Sequence, residues 1–176
     1  MRKIKKQSPF FIFWGTLLMF SLFLVCCQNE SAELTSQEKE IAKKEISDIG
    51  KGVIQSVERL DIESALKPYA NSPDFLMINP DGSYADYNGF KSTGIEAFKH
   101  LHSMKQTTIK EEFRFLTKTQ VLYTWFGKNE IELKTGEKIK NESYIGSMIF
   151  SKINNEWKIV YVHESASPPI QEEPKK

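Results

Sequence analysis

Hydrophobic residues recur at helical spacing between residues 35 and 60. Between Thr35 and Leu60 they repeat close to every third or fourth position, separated by Lys and Glu: Ile41, Ile46, Ile49, Val53, Val57 and Leu60. This period predicts a long amphipathic helix with one buried face. Thr35 and Glu38 have the spacing of a capping box, in which each side chain accepts from the other residue's backbone N–H. The helix is therefore expected to begin at Thr35.

Two shorter helices are predicted after this one. Residues 61–66 form the first, which must end before Pro68 because the proline ring cannot continue the helical hydrogen bonds. Thr93 and Glu96 repeat the capping-box spacing and predict a helix that runs to about Lys105.

The remaining pattern is typical of strands. Residues 74–78 read as a short strand before the turn Asn79-Pro80-Asp81-Gly82. Four longer strands follow in the second half of the chain, at residues 107–117, 120–133, 138–153 and from 157 onward. Their connections are short enough for hairpins. The fold class is thus predicted as α+β, with a cone-shaped, curled antiparallel sheet wrapped around helices.

The N-terminus has the pattern of an export signal. Four basic residues precede an apolar run from Phe10 to Val25, which is short for a membrane span and suits a signal peptide. Leu24-Val25-Cys26-Cys27 resembles the lipobox of bacterial lipoproteins, which implies cleavage after Cys26 and a lipid on Cys27. An uncleaved anchor is the alternative. Both place the folded part outside the cytoplasm, in the bacterial cell envelope, and Gln28 favours the outer membrane if the source is Gram-negative.

These signals divide the chain into a signal peptide (1–26), a polar tether (27–34), one domain (35–169) and a polar tail (170–176). Residues 1–26 hold four basic residues and no acidic ones, so their removal leaves 20 basic against 23 acidic residues. A mildly acidic domain lacks the basic face that nucleic-acid binding requires. The chain has no cluster of His, Cys and Asp with ligand spacing and no glycine-rich phosphate loop, so we expect neither a metal nor a cofactor.

The closing run WKIVYVHESASPP and the order of elements resemble the nuclear transport factor 2-like superfamily, and within it SnoaL-like proteins. The last strand is similar to that of the association domain of calcium/calmodulin-dependent protein kinase II. Five residues carry this motif: Trp157, Val160, His163, Ser165 and Pro168. The resemblance spans about residues 35–169. It implies a half-barrel with a pocket on its concave face, and dimers or larger oligomers, but no single reaction.

The last hairpin decides which residues face that pocket. A two-residue loop would set Ile145 opposite Glu164, whereas a three-residue loop would set Gly146 there. We predict the three-residue loop, with Glu164 on the concave face. Simple alternation then places Trp157, Ile159, Tyr161 and His163 together on the opposite face. Because both faces are apolar in their middle, a second subunit is expected to cover the outer one.

Glu164 is the candidate catalytic residue. A carboxylate in an apolar cone has a raised pKa, which suits it for proton transfer near neutral pH. A salt bridge at the sheet rim is the alternative. The predicted binding residues around it are Tyr144, Gly146, Met148, Trp125, Phe126 and Val162, while His163 is assigned to the other face.

Two functions are consistent with the sequence. The first is a lipid-anchored, non-catalytic domain that binds a small apolar molecule or a partner protein in its cone. The second is a small isomerase, cyclase or hydrolase that uses Glu164 as its general base. An enzyme of that kind needs a second polar group beside the reacting atom, and Tyr144 is the one good neighbour in the sequence.

Overall fold

The computed structural model describes residues 33–172. The predicted signal peptide and the predicted lipidation residue Cys27 lie outside the described residues. By its contacts, the chain forms a compact unit from Glu33 onward. Among the residues that the structure describes, no helix is both long and apolar enough to cross a membrane.

Helix α1 spans Ser36–Glu58 and begins with the predicted capping box. The backbone N–H of Glu38 donates to Oγ1 of Thr35 at 3.2 Å, and the backbone N–H of Thr35 donates to Oε2 of Glu38 at 2.7 Å. These bonds satisfy two donors that an α-helix leaves unpaired at its start. The buried face of α1 contains Ile46, which is fully enclosed, whereas Ile41 is 52% exposed and does not belong to it.

The two shorter helices are α2 (Ile62–Leu66) and α3 (Tyr87–His100). The prediction for α2 is confirmed, but the predicted start and end of α3 are wrong. The helix begins at Tyr87, and the carboxylate of the preceding Asp86 accepts from the backbone N–H of Gly89 at 2.8 Å and so caps the first turn. It ends at His100 because a strand starts at Leu101, which pairs with Leu133.

Seven strands form one curled sheet. Their bounds are β1 (Leu76–Ile78), β2 (Tyr84–Ala85), β3 (Leu101–Thr117), β4 (Gln120–Leu133), β5 (Lys138–Ile153), β6 (Glu156–Ala166) and β7 (Ile170–Glu172). The sheet order is β2-β1-β6-β5-β4-β3, and β7 pairs with β5. The α+β class is confirmed. The sheet is mixed rather than antiparallel, because β1 returns beside β6 in the parallel direction. Strand β7 also extends the sheet into the predicted polar tail.

The β5–β6 hairpin reaches the predicted pairing by a different route. Its loop has two residues, Asn154 and Asn155, both with positive φ, as a tight hairpin turn requires. The three-residue loop is therefore wrong. A one-residue bulge at Val160 then shifts the register, so that Gly146 lies opposite Glu164 as predicted.

The bulge also changes which residues share a face. Before it, Trp157 and Ile159 point into the core, and after it Val162 does so as well. The prediction that Trp157 and Ile159 face outward with Tyr161 and His163 is thus wrong. An unpaired residue adds one position to the strand, so simple alternation fails across it.

The core lies between α1 and the concave face of the sheet. Its largest fully buried side chains are Tyr123, Phe150, Ile46, Ile159, Val121 and Val162. A second aromatic group covers the end near α3: Tyr69 and Phe90 have ring centroids 4.8 Å apart, and Phe75 and Phe90 lie 5.5 Å apart. These rings connect α3 to the segment before β1, and they close one side of the concave face.

Candidate functional site

A cavity of about 260 Å³ lies between the helices and the concave face of the sheet. The helical side supplies mainly aliphatic and aromatic groups: Val53, Ile54, Val57, Ile62, Leu66, Phe90 and Phe98. The sheet side supplies Met77, Met104, Gln106, Tyr123, Trp125, Tyr144, Gly146, Met148, Ile159 and Glu164. The space is therefore mostly apolar, with one carboxyl group on its wall, as is typical of small-molecule sites.

The structure brings five of the predicted site residues together around this cavity. They are Trp125, Tyr144, Gly146, Met148 and Glu164. Two others do not line it. The ring of Phe126 lies 5.1 Å from Nζ of Lys110, on the outer face, because neighbouring residues of a strand point in opposite directions. Val162 is only 2% exposed and is packed in the core instead.

Glu164 and Tyr144 form the polar centre of the cavity. The hydroxyl of Tyr144 donates a short hydrogen bond to Oε2 of Glu164. Burial raises the pKa of the Glu164 carboxyl above its ordinary value of 4.5, and the bond from Tyr144 offsets part of that rise. Burial and the neighbouring Glu164 charge both raise the pKa of Tyr144, so its hydroxyl remains a donor at neutral pH. None of the ion pairs among residues 33–172 includes Glu164, so the rim salt bridge is not formed.

Tyr69 is a further polar residue of the cavity, and the sequence pattern did not predict it. Burial raises its pKa, and the charge of Glu164 adds to this effect, which places the two side chains in the same electrostatic environment. The residue lies in the irregular segment between α2 and β1, where no period identifies an inward position. A bridge to Ile159 of β6 fixes it there. Only the pairing of two distant segments could have identified it.

Hydrogen bonds hold two of the aromatic walls in place. The hydroxyl of Tyr123 donates to Oε1 of Glu111 at 2.8 Å, and Oγ of Ser47 in α1 donates to Oε2 of Glu111 at 2.9 Å. The indole N–H of Trp125 donates to Oγ1 of Thr108 at 2.9 Å. These donors are already paired, so both rings present apolar surface to the cavity.

Two glycines of the sheet shape the cavity wall. A Cβ atom on Gly127 would lie 2.2 Å from the Trp125 ring and 2.5 Å from the backbone oxygen of Thr107, so Trp125 packs directly over this glycine. A Cβ atom on Gly146 would meet only Cε of Met148, at 3.2 Å. The missing side chain at Gly146, which lies opposite Glu164, thus leaves space in the cavity wall.

His163 is exposed on the outer face, across the hairpin from Ser147. It is therefore separated from the cavity, in agreement with the prediction. Among residues 33–172, no group of three or more His, Cys, Asp or Glu side chains has an arrangement that could hold a metal ion.

No protein-family profile and no curated protein sequence matches the chain. Solved structures do. A candidate scytalone dehydratase from Novosphingobium aromaticivorans is similar over 80% of this chain and 94% of its own, with a TM-score of 0.71 and 8% identity. A nuclear transport factor 2-like superfamily protein from Salmonella enterica is similar over 74% of this chain and 94% of its own, with a TM-score of 0.66 and 17% identity.

The fold is nuclear transport factor 2-like. A hexachlorocyclohexane dehydrochlorinase, LinA type 3 from Novosphingobium barchaimii, has the same fold, with a TM-score of 0.66 and 10% identity over 78% of this chain and 94% of its own. At such identities the likeness concerns the nuclear transport factor 2-like fold and not the chemistry.

Proposed function

We propose that this domain binds a small, mainly apolar molecule in the cavity, with Glu164 accepting a hydrogen bond from the molecule's one polar group. The observation that carries the proposal is the cavity itself: about 260 Å³ of mostly apolar space with a single carboxyl group on its wall. A polar group buried without a partner is costly, so a ligand that satisfies Glu164 gains affinity over one that does not.

The Glu164 carboxylate oxygen that accepts no bond from the described residues, Oε1, supports this proposal. Its Oε2 accepts from Tyr144, whereas no residue among 33–172 donates to its Oε1. Tyr123 and Trp125 donate elsewhere, to Glu111 and Thr108. A bound hydroxyl or amine group can therefore donate to Oε1 of Glu164, while most of the rest of the molecule would contact hydrocarbon and aromatic groups.

The test uses 2-phenylethanol as the probe and the indole N–H signals of the chain as the NMR readout. Binding in the cavity should shift the Trp125 signal, because Trp125 lines the cavity. The Trp157 signal should not move, because that indole donates to Glu45 at 2.9 Å outside the cavity. Equal shifts of both signals, or none, would contradict the proposal.

Two variants sharpen this test. Gly146→Val fills the space beside Glu164 and should weaken binding of the probe. Ser147→Ala is the matched control, because Ser147 is the next residue of β5 and points to the outer face. If Gly146→Val binds the probe as well as Ser147→Ala does, the ligand site lies elsewhere.

We also propose that the domain is anchored to a membrane of the bacterial cell envelope through a lipid on Cys27, and that it forms a dimer or larger oligomer. The lipobox-like Leu24-Val25-Cys26-Cys27 supports the anchor. The outer face of the sheet supports the oligomer, because Ile145, Ile149 and Tyr161 occupy neighbouring positions there. We further propose that the domain is SnoaL-like within the nuclear transport factor 2-like superfamily.

A second candidate function is proton-transfer catalysis, in which Glu164 removes a proton from a carbon atom. The raised pKa of Glu164 and its bond to Tyr144 favour it, since a desolvated carboxylate is a stronger base than one in water. Proteins with the same fold include dehydrochlorinases by name. A bound substrate would lose a proton to Oε1, and Tyr144 would orient the carboxylate.

The generic carbon acid 5-nitrobenzisoxazole tests this candidate, because any well-placed base opens its ring and releases a coloured phenolate. The wild-type rate should exceed that of Glu164→Gln and should rise with pH through the pKa of Glu164. Glu142→Gln is the control, since Glu142 pairs with Lys128 at the surface. Equal rates for wild type and Glu164→Gln would exclude this carboxylate as a base for the probe.

A further inference from the structure

The ionisable side chains that line the cavity indicate which class of ligand it can bind. The described residues that line it include one carboxyl group, that of Glu164, and no Lys, Arg or His. Glu164 also forms no ion pair with any residue in 33–172. An ionised carboxylate at this place has no positive partner among the described residues, and an isolated buried charge is strongly disfavoured.

Aromatic residues line the cavity together with this carboxyl group. Tyr144 is in direct contact with Glu164, and the centroids of Trp125 and Tyr144 lie 6.4 Å apart in a T-shaped arrangement. Tyr69 and Phe90 line the same cavity. The faces of such rings attract cations within about 6 Å, most strongly when the cation is removed from water. A cavity that combines ring faces with one carboxylate is suited to a positive group.

We propose that the cavity selects organic ammonium ions, that is, small primary or secondary amines with a mainly apolar body. The ammonium N–H group would donate to Oε1 of Glu164, and the rings of Trp125, Tyr69 and Tyr144 would contact its charge. This inference rests on the proposed function, because it names the class of ligand for the same cavity. Carboxylate and phosphate ligands are excluded by the same charge.

A neutral alcohol would satisfy the hydrogen bond but not the charge. An alcohol leaves Glu164 either protonated or as an unpaired carboxylate, whereas an ammonium ion pairs with it. Coulomb attraction at short range is much stronger in a cavity than in bulk water. The amine should therefore bind more tightly than an alcohol of the same shape.

Three probes of the same shape and different charge test this: 2-phenylethylamine, 2-phenylethanol and phenylacetate. Titration calorimetry would use the full chain near pH 7.5, in one detergent throughout. The amine should bind roughly tenfold or more tightly than the alcohol, because its hydrogen bond to Glu164 joins two charged groups and such bonds are stronger than neutral ones. Phenylacetate should bind most weakly. Hexylamine and 1-hexanol would repeat the comparison without an aromatic ring in the ligand.

Two variants identify the cause of any preference. In Glu164→Gln most of the preference for amine over alcohol should disappear, because only the ring contacts to the ammonium group remain, while the alcohol still binds. Glu142→Gln removes one negative charge at the surface and should leave the preference intact. If Glu142→Gln lowers it as much as Glu164→Gln does, the effect is one of net charge, and the proposed site is wrong.

NMR of the Glu164 carboxyl group gives an independent readout. Binding of the amine should lower the pKa of this carboxyl, because the positive group stabilises the charged form. Binding of the alcohol should lower it less.

The outcomes separate the two proposals. An alcohol that binds as tightly as the amine would overturn the ammonium inference and leave the apolar ligand site standing. If neither probe series binds in the cavity, the proposed function fails together with the inference.

Discussion

Tyr144 and Glu164 meet diagonally across the β5–β6 hairpin. Tyr144 lies opposite Ala166 in the register, and its hydroxyl reaches back to Oε2 of Glu164. Diagonal neighbours on one face of a sheet are within reach of an aromatic side chain. The contact therefore depends on both residues facing the cavity, and the bulge at Val160 arranges this.

Tyr144→Phe should raise the pKa of Glu164 further. The hydroxyl of Tyr144 is the one group that lowers this pKa, because it stabilises the charged carboxylate. We expect this increase because the hydrogen bond from Tyr144 stabilises the charged form of the carboxyl, and phenylalanine cannot donate it. Carbon-detected NMR titration of the Glu164 carboxyl measures it. Tyr161→Phe is the control, and a pKa that falls in Tyr144→Phe would contradict the assignment.

Glu164→Gln should be more stable than the wild type at neutral pH and should lose this advantage in acid. The folded-state pKa of Glu164 lies above its ordinary value of 4.5, so between these two pKa values the folded protein retains a proton that the unfolded chain has released. Stability from this group is complete below pH 4.5 and falls as the pH rises through the folded-state pKa. The difference is about 1.4 kcal/mol for each tenfold change in acid dissociation constant.

Urea unfolding of wild type and Glu164→Gln between pH 4 and pH 8 measures this difference. If the difference in free energy of unfolding between Glu164→Gln and wild type grows toward acid pH rather than toward neutral pH, the folded protein stabilises the charged form of Glu164.

Gly127→Ala should destabilise the domain by about 1–3 kcal/mol, the usual cost of forcing extra volume into a packed site. The added Cβ atom would overlap the Trp125 ring and the backbone oxygen of Thr107, and the backbone cannot move aside like a flexible side chain. The displaced Trp125 should also weaken ligand binding.

Gly52→Ala is the matched control for this substitution. Nothing lies within 4 Å of a Cβ atom at Gly52, which is in the middle of α1. This variant should gain about 0.5–1 kcal/mol, because alanine is the better helix former. Thermal unfolding of both variants measures these changes in stability. Equal stability of Gly127→Ala and wild type would show that Trp125 moves aside without cost.

Tyr161→Glu should separate the proposed oligomer into monomers. Tyr161 lies on the outer face of the sheet beside Ile149, and a buried carboxylate without a partner is strongly disfavoured at an interface. Sedimentation velocity at micromolar concentration measures the assembly. Tyr84→Glu is the control, because Tyr84 is 77% exposed on the edge strand β2. A wild-type chain that sediments as a monomer would end the oligomer proposal.

Cys27→Ser should abolish incorporation of radiolabelled palmitate in bacterial cells, because Cys27 is the proposed lipid acceptor. Cys26→Ser should retain the label, since serine is a common residue just before the cleavage site in the lipobox pattern. Label that persists in Cys27→Ser, or that is lost in Cys26→Ser alone, would place the modification on the other cysteine.

The sequence by itself determined the elements with strong local signals. The capping box at Thr35 placed the start of α1, and the alternating runs after residue 107 placed the long strands. The pairing of Gly146 with Glu164 was also predicted correctly, although from a three-residue loop that does not exist. Helical period, capping residues and strand alternation each depend on a few residues that are close in sequence, so they can be identified from the sequence alone.

Tertiary structure alone decided the bulge at Val160 and the residues on each side of it. The backbone of Ile159 bonds to Pro68 and Ala70, at 2.9 Å and 2.8 Å, whereas the strand pairs with β1 from Tyr161 onward. The bulge lies where β6 changes from one neighbouring segment to the other. No local pattern in β6 records which distant segment lies beside it.

The helical residues that line the cavity could not be predicted for the same reason, because their role depends on distant segments. Val53 and Val57 were identified as an apolar face of α1, but the pattern does not distinguish a face packed against the sheet from one that lines a cavity. Tyr69 belongs to no periodic element and enters the site only because its segment bridges to β6. Local hydrogen bonding and side-chain alternation fix the elements, while the space left between them depends on how distant elements pack together.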